Sequence, residues 1–292
     1  MPMNNFKPFP YPLACMYNVL SGKEPAAQIL ENAMKEAQML SCKPSLVIVL
    51  VGNDPASEAY VRKKLEKASA IGIDARLERL ESDAKEKDLL KLVKKLNKDK
   101  SVDGFIVQSP IPKHMDYSKI VEAIDPKKDV DGWTSTNIGK MFLGVGGAFM
   151  PATPIGVIRM LEFYGADLRG KDVTVIGRGN VVGKPLAFML LERDATVTIC
   201  HSKTRDLADH TRRADIVIAA AGSPLLLKAD MVKEGAYVID VGTSKLGEKI
   251  VGDVDFENVI KKAHCSPVPG GIGPMTVAML LGNCVEAAKR RS

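Results

Sequence analysis

The chain has 292 residues, 46% of them hydrophobic and 26% charged, with a formal net charge of +6 from 41 basic and 35 acidic side chains. That length can bury one large or two ordinary cores, and the composition is that of a soluble α/β protein. The modest basic excess suits small anionic ligands, and no basic–aromatic interleaving of the kind single-strand nucleic-acid binding needs is present.

In chain order, residues 1–15 (MPMNNFKPFPYPLAC) carry four prolines and no apolar h-region, so they do not read as a signal peptide. Leu13-Ala14-Cys15 only superficially resembles a lipoprotein cleavage site. An extension ahead of the fold, or a true start at Met16, is the expectation, and residues 1–15 should be dispensable. Leu46 to Val51 is a continuous β-type run ending at Gly52, and Ala56 to Ala70 follows as a helix. Ala75 to Leu80 alternates as a strand. Lys85 to Lys100 is a basic helix over an apolar stripe of Leu89, Leu90, Leu92, Val93 and Leu96 at roughly helical spacing. Gly104 to Gln108 is a third strand, stopped by Ser109-Pro110-Ile111-Pro112. Strands and helices in alternation predict a parallel sheet wound by helices.

A Gly- and Asp-rich passage from Asp125 to Gly147 interrupts the rhythm and reads as a domain junction. A second series follows, with strands expected at Asp172 to Ile176, Thr196 to Cys200, Ile216 to Ala220 and Tyr237 to Val241. A final helix spans Met275 to Lys289 and is expected to pack back across the junction. The fold class expected is thus α/β, two domains with a cleft between them, the second Rossmann-like. The boundaries are 1–150 plus 275–292 for the first domain and 151–274 for the second. No apolar run reaches the roughly 18 residues of a membrane span. The five cysteines (Cys15, Cys42, Cys200, Cys265, Cys284) are scattered, odd in number and never in a CxxC pair, and the four histidines do not cluster. That argues against a disulfide framework or a zinc site and fits a reducing, cytoplasmic compartment.

Two stretches carry candidate chemistry. The first is Val173 to Gly183, where Gly177, Gly179 and Gly183 form a GxGxxxG turn between a predicted strand and helix. Such a turn lets backbone N–H groups and a helix N-terminus face a pyrophosphate; taken alone it is equally an ordinary strand–turn–helix. An NAD site places a carboxylate after the second strand. Here that position reads Cys200-His201-Ser202-Lys203-Thr204-Arg205, with no acid before Asp206. Together with Arg178 in the turn, a hydroxyl and two cations suit a 2′-phosphate, so NADP is the cofactor expected.

The second stretch gathers in the first half. Tyr60 and Lys64 are four residues apart and share a helix face. Gln108 ends a predicted strand, and Asp131 lies in Lys128-Asp129-Val130-Asp131-Gly132. Singly, each has an ordinary explanation: a solvated lysine, a loop anchor, a turn-forming aspartate. Beside a dinucleotide fold they form a candidate site at strand ends.

These stretches resemble the bifunctional methylenetetrahydrofolate dehydrogenase/methenyltetrahydrofolate cyclohydrolase family. The matching segments are Gly52 to Lys64 (GNDPASEAYVRKK), Val107 to Pro112 (VQSPIP), Lys128 to Gly132 (KDVDG) and Pro151 to Pro154 (PATP). Gly177 to Pro185 (GRGNVVGKP), Cys200 to Thr204 (CHSKT) and Pro267 to Met279 (PVPGGIGPMTVAM) continue the series in family order, from about Met16 to Lys289. The resemblance implies oxidation of 5,10-methylenetetrahydrofolate and hydrolysis of the methenyl product. The first domain would bind folate and the second NADP. Lys64 would be the catalytic lysine, Gln108 its hydrogen-bonding neighbour and Asp131 the pterin anchor. Tyr60 would pack on the folate, and the loop from Gly270 through Gly273 and Pro274 would border it. Arg178, Ser202 and the backbone near Gly177, Gly179 and Thr243 would hold NADP. A cytoplasmic homodimer in one-carbon metabolism and purine biosynthesis is implied as well.

The chain departs from the family pattern at Glu66, Ser109, Ala152, Gly179 and Thr243-Ser244, none of them a residue assigned to chemistry. Two other readings use the same features. The retained Lys64 and Gln108 argue against a dehydrogenase without the hydrolytic step, and a silent folate-binding protein would be expected to have lost one of Lys64, Gln108 or Asp131. A shikimate-type or amino-acid dehydrogenase would share the two-domain plan without folate-dependent NADP reduction.

Overall fold

The computed structural model describes residues 18–291, so the expectations for residues 1–15 lie outside the described residues. Two compact units are present. One comprises residues 26–152 and 277–291, the other residues 18–25 and 153–276.

The first unit is built on a three-stranded parallel sheet, β1 (Ser45–Val51), β2 (Asp74–Leu80) and β3 (Gly104–Val107), in the order β2-β1-β3. Its helices are α1 (Lys23–Gln38, from residue 26), α2 (Pro55–Ala70), α3 (Glu86–Lys98), α4 (Tyr117–Glu122) and α5 (Ser135–Phe142). The uninterrupted apolar run of β1 has a simple cause: both faces of this central strand are covered. Leu46, Ile48 and Leu50 enter one core with Val61 and Leu281, whereas Val47, Val49 and Val51 enter another with Leu89, Val93 and Phe105. Parallel strands buried on both sides lose the polar alternation that one-sided strands keep. The edge strand β2 keeps it. The passage from Asp125 to Gly147, expected as a junction, belongs instead to this unit and contains α5. Its glycines and aspartates shape a loop laid along β3, where Phe105 N–H donates to Lys128 O at 3.0 Å.

The second unit begins its main run with α6 (Ala152–Phe163, from residue 153). It then carries β4 (Asp172–Ile176), α7 (Gly183–Leu191), β5 (Thr196–Cys200), α8 (Leu207–Thr211), β6 (Ile216–Ala219), β7 (Tyr237–Asp240), a hairpin of β8 (Ser244–Leu246) and β9 (Lys249–Val251), α9 (Phe256–Val259) and β10 (His264–Cys265). Five strands form a parallel sheet in the order β10-β7-β6-β4-β5. Residues 18–25, assigned by sequence to the first domain, pack with this unit. Val19 forms a parallel bridge to Cys265, Leu20 N–H donates to Cys265 O at 2.9 Å, and Gly22 N–H donates to Gly270 O at 2.9 Å. Backbone pairing, which leaves no mark in hydrophobic periodicity, decides where that segment lies. The helix α10 (Ile272–Arg291) runs on from here, and from residue 277 its Leu280, Leu281, Cys284 and Val285 fill the first unit's core. No helix among the described residues is long and apolar enough to cross a membrane.

Candidate active site and nucleotide edge

In the first unit the chain winds from β1 to one neighbour and then to the other, so its topological switch lies at β1, where open α/β sheets place ligands beyond the strand ends. The helix α2 starts beside that end. Asp54 caps it, its Oδ2 accepting from Ser57 N–H at 2.8 Å, and Pro55 occupies the first turn, where a missing N–H costs nothing. Ser57, Val61, Lys64 and Ala68 form the buried stripe of α2, at the helical spacings of 4, 3 and 4. Lys64 therefore lies on the apolar face, only 7% exposed, while Lys63 and Glu66 are exposed.

The ammonium of Lys64 donates to Gln108 Oε1 at 2.9 Å. Gln108 follows β3 and extends its pairing, its N–H donating to Val49 O at 2.8 Å. Its side-chain Nε2 donates to Ser109 O at 2.7 Å, which turns the amide oxygen toward the lysine. Burial pulls the Lys64 pKa below the ordinary lysine range, and the charge of Asp131 partly opposes it.

Asp131 owes its place to a well-tied loop. Asp129, buried beside it, accepts from Gly132 N–H, Thr134 N–H and Asn137 Nδ2 at 3.0, 2.7 and 2.9 Å. Asn283 Nδ2 of α10 donates to Val130 O and Met150 O at 2.9 and 3.0 Å. Gly132 sits at φ +76°, and a Cβ there would meet Phe149 O at 2.7 Å, so only glycine fits. Burial pushes the half-buried Asp131 carboxyl up to about 6, with Lys64 lowering it and Asp129 raising it. Lys64 and Asp131 thus each make the charged form of the other less costly.

Two aromatic residues missed in the sequence join Asp131 in a small pocket that Phe105, Val107 and Ile124 also line: Tyr117 and Trp133. Their rings meet edge-on at 5.9 Å. Tyr117 O–H donates to Val107 O at 3.2 Å, while the buried Trp133 Nε1 has no partner among the described residues. The signal for Trp133 was its place directly after KDVDG as the chain's single tryptophan. Tyr117 gave none. Tyr60, one turn before Lys64, is 42% exposed. Sequence-predicted Tyr60, Lys64, Gln108 and Asp131 therefore all fall in the first unit, where Lys64 is hydrogen-bonded to Gln108 and feels the charge of Asp131.

Gly273 and Pro274 occupy the first turn of α10 in the second unit. The second unit's own switch point is β4, with β5 on one side and β6 on the other. Gly177 follows β4 at φ +119°, and a Cβ on it would lie 2.1 Å from Ala220 O. A Cβ on Gly183, the first residue of α7, would lie 2.1 Å from Gly177 O. These two contacts close the turn tightly, whereas Gly179 has open space around it and Arg178 to Val181 are exposed. Val182 at the helix cap supplies no side-chain hydrogen bond to the first turn of α7. After β5, His201 N–H donates to Thr204 Oγ1 at 2.8 Å and shapes a turn that leaves Ser202 and Lys203 exposed. Thr243 is exposed after β7. All five cofactor candidates thus stand at the C-terminal ends of β4, β5 and β7. A tight glycine turn, an uncapped helix start and exposed Ser202, Lys203 and Arg178 fit a pyrophosphate and a phosphorylated ribose. Among the described residues no cluster of His, Cys, Asp or Glu could hold a metal ion.

Comparison with known proteins agrees with this division of labour. Residues 20–131 match the catalytic domain of the tetrahydrofolate dehydrogenase/cyclohydrolase family, and residues 151–292 match its NAD(P)-binding domain. The chain is 49% identical over 276 residues to bifunctional protein FolD of Hydrogenobaculum sp., covering 94% of this chain and 99% of that one. The crystal structure of the bifunctional FolD methylenetetrahydrofolate dehydrogenase/cyclohydrolase of Campylobacter jejuni superimposes with a TM-score of 0.91 at 46% identity, covering 94% of this chain and 99% of the other. The Trypanosoma brucei methylenetetrahydrofolate dehydrogenase-cyclohydrolase, solved with NADP and an inhibitor, gives 0.90 at 36% identity, covering 95% and 99%.

Proposed function

We propose, on the premise that the chain belongs to the tetrahydrofolate dehydrogenase/cyclohydrolase family, that Lys64, Gln108 and Asp131 carry out its folate chemistry. The protein oxidises 5,10-methylenetetrahydrofolate to the methenyl form with NADP and hydrolyses that product to 10-formyltetrahydrofolate. The observation that carries the residue assignment is the buried Lys64 amine, hydrogen-bonded to Gln108 and charge-coupled to Asp131.

Bound NADP supplies the hydride acceptor for the first step. Loss of hydride leaves a cation shared by two substrate nitrogens and needs no protein base, so the residues' task there is alignment. Asp131 anchors the pterin, because adjacent ring N–H and amino donors match the two oxygens of a carboxylate. No hydrogen bond to its side chain is formed within the described residues, which leaves those oxygens available. Hydrolysis makes a different demand: water must lose a proton on attack, and a ring nitrogen must gain one when the bridge opens. One amine near neutral pKa serves both needs. Burial already lowers the Lys64 pKa, and a cationic methenyl substrate beside it lowers it further. Gln108 holds the amine in place. Tyr60, exposed one turn away, packs on the folate. Gly177, Arg178, Gly179, Ser202 and Thr243 hold the dinucleotide, with Arg178 and Ser202 serving the 2′-phosphate.

The same reading makes the first unit the folate domain and the second the NADP domain. It also makes the protein a cytoplasmic homodimer whose formyl product feeds purine biosynthesis. Support for self-association is local: β5 is an edge strand, its Ile199 is 39% exposed, and Leu191 on the adjoining α7 is 58% exposed. A spectrophotometric assay of the purified protein with methylenetetrahydrofolate and either NADP or NAD tests the whole reading. Reduction of NADP followed by decay of the methenyl absorbance is expected. Equal efficiency with NAD would sink the 2′-phosphate assignment.

A further inference from the structure

The segment Val251-Gly252-Asp253-Val254-Asp255-Phe256 played no part in the reading from sequence. In the structure it brings two buried carboxylates together behind the strand ends of the second unit. Asp253 is fully buried, and its Oδ2 accepts from Ala221 N–H and Gly222 N–H at 2.6 and 2.8 Å. Asp240, at the end of β7 and 2% exposed, accepts at Oδ1 from Gly242 N–H and Asp253 N–H, both at 2.9 Å. Its Oδ2 accepts from Val254 N–H at 2.9 Å, and its own N–H donates to Ser266 Oγ at 2.8 Å.

The approach is close enough to require glycine on both sides. A Cβ on Gly252 would lie 1.9 Å from Asp240 Oδ2, and one on Gly242 would lie 2.3 Å from Asp253 Cγ. Burying a carboxylate is costly unless hydrogen bonds compensate it. Here three of the donors, Ala221, Gly222 and Gly242, are backbone N–H groups of the two loops that flank the nucleotide edge, and the other two, Asp253 and Val254, belong to the segment itself. Ala221 and Gly222 continue from Ala220, whose carbonyl packs against Gly177. Gly242 directly precedes Thr243. The loop after β6 and the loop after β7 are therefore fixed by one shared pair of side chains.

We infer that Asp240 and Asp253 are positioning residues for the cofactor, setting the loops at Ala220–Gly222 and Gly242–Thr243 in the form that receives the dinucleotide. This rests on the assignment of the second unit's strand ends to NADP. Neither carboxylate is a catalytic residue, since each acts through the backbone it holds. Burial, with Asp253 nearby, pushes the Asp240 carboxyl up to about 6. That is the environment of a structural tie rather than of an exposed ligand group. The buried Asp253 Oδ1 has no partner within the described residues, so the Asp253 carboxylate holds the loop after β6 through Oδ2.

The test is calorimetric titration of NADP into wild type, Asp253→Ala and Asp253→Asn, with cofactor-free hydrolysis of methenyltetrahydrofolate and melting temperature measured in parallel. Asp253→Ala should raise the Kd for NADP at least about tenfold, as losing two charge-assisted bonds to the loop after β6 implies. Hydrolysis should stay within about twofold. Asp253→Asn should recover most of the affinity, because its amide oxygen can accept the same two N–H bonds. Should Asp253→Ala not fold, Ser266→Ala loosens Asp240 alone and should raise Kd about threefold. An unchanged Kd in whichever variant folds, a parallel loss of hydrolysis, or no recovery in Asp253→Asn would overturn the inference. Wild type that binds no NADP would overturn the functional reading itself, which keeps the two failures apart.

Discussion

The two units present the same topological device and use it in opposite ways. Each has a parallel sheet that reverses its winding at one strand, β1 in the first and β4 in the second. Beyond β1 stand side chains in a partly dry environment: a buried amine, an amide that orients it and a carboxyl raised to about 6. Beyond β4 stands backbone, made accessible by glycines and ringed by exposed cations and hydroxyls. A switch point offers only a location. Whether it becomes a place for proton transfer or for a pyrophosphate depends on whether burial tunes side chains or glycine exposes N–H groups. The two edges should therefore fail under different substitutions.

The largest effect is expected for Lys64→Met, which keeps much of the side chain's length and removes the amine. General acid–base groups contribute about 10²–10⁴-fold, so hydrolysis should fall by at least that order while hydride transfer remains measurable. Methenyltetrahydrofolate should accumulate in the coupled reaction, after correction for spontaneous hydrolysis. Near-normal hydrolysis would remove Lys64 from its role and make Tyr60 or a water held by Gln108 the next candidate.

Gly177→Ala strikes the other edge through its backbone. A Cβ at φ +119° would lie 2.1 Å from Ala220 O, and strain plus overpacking should cost about 2–5 kcal/mol. A lower melting temperature and weakened NADP binding are expected. Retention of both would show that the turn is looser than its geometry implies. Arg178→Ala removes a charge and leaves the backbone alone. It should weaken NADP by about 1.5–3 kcal/mol, or tenfold to a hundredfold, with little effect on NAD. Equal losses for the two cofactors would place Arg178 on the pyrophosphate instead.

Asp131 gives the comparison a pH axis. Its pKa is raised to about 6, so it is ionised above that value and protonated below it. The carboxylate is the form that accepts two donors, so the KM for folate should rise about tenfold between pH 7 and pH 5 as ionisation is lost. Asp131→Asn should bind folate weakly and lose this dependence. A wild-type KM that stays flat over the range would contradict the anchor assignment. The smallest effect is expected at Gly179, where a Cβ would meet nothing within 4 Å. Gly179→Ala should change stability by less than about 0.5 kcal/mol, and NADP titration should find little change. A large loss would mean that bound cofactor approaches this backbone closely.

Much of this arrangement could be read from local signals. The runs at Leu46–Val51 and Val173–Ile176 specified central strands because parallel strands covered on both faces need apolar residues throughout. The glycines at Gly177 and Gly183 marked a turn because backbone approaching within about 2 Å of a would-be Cβ excludes every other residue. Helical spacing put Lys64 on one face with Tyr60, yet could not say that the lysine joins the buried stripe of Val61 and Ala68. Other features left no local trace. The placement of residues 18–25 depends on a rung beside β10, and backbone pairing is indifferent to side-chain identity. The passage at Asp125–Gly147, expected as a junction, lies within the first unit and holds α5, because turn-forming residues mark a change of direction and not a domain boundary.

By itself, then, and apart from the family resemblance that singled out Lys64, Gln108 and Asp131 as candidates, the sequence determined the α/β succession, the glycine turn and the acid-free stretch after β5. Each of these is encoded within a few residues by periodicity, backbone permissiveness or charge. Tertiary structure alone decided that the lysine is desolvated against Gln108, that Asp129 folds the loop presenting Asp131, that Tyr117 and Trp133 share its pocket, and that Asp240 meets Asp253. Those facts depend on desolvation and on hydrogen bonds between distant segments, such as the 44 residues from Lys64 to Gln108, and such free energies exist only once the chain has closed.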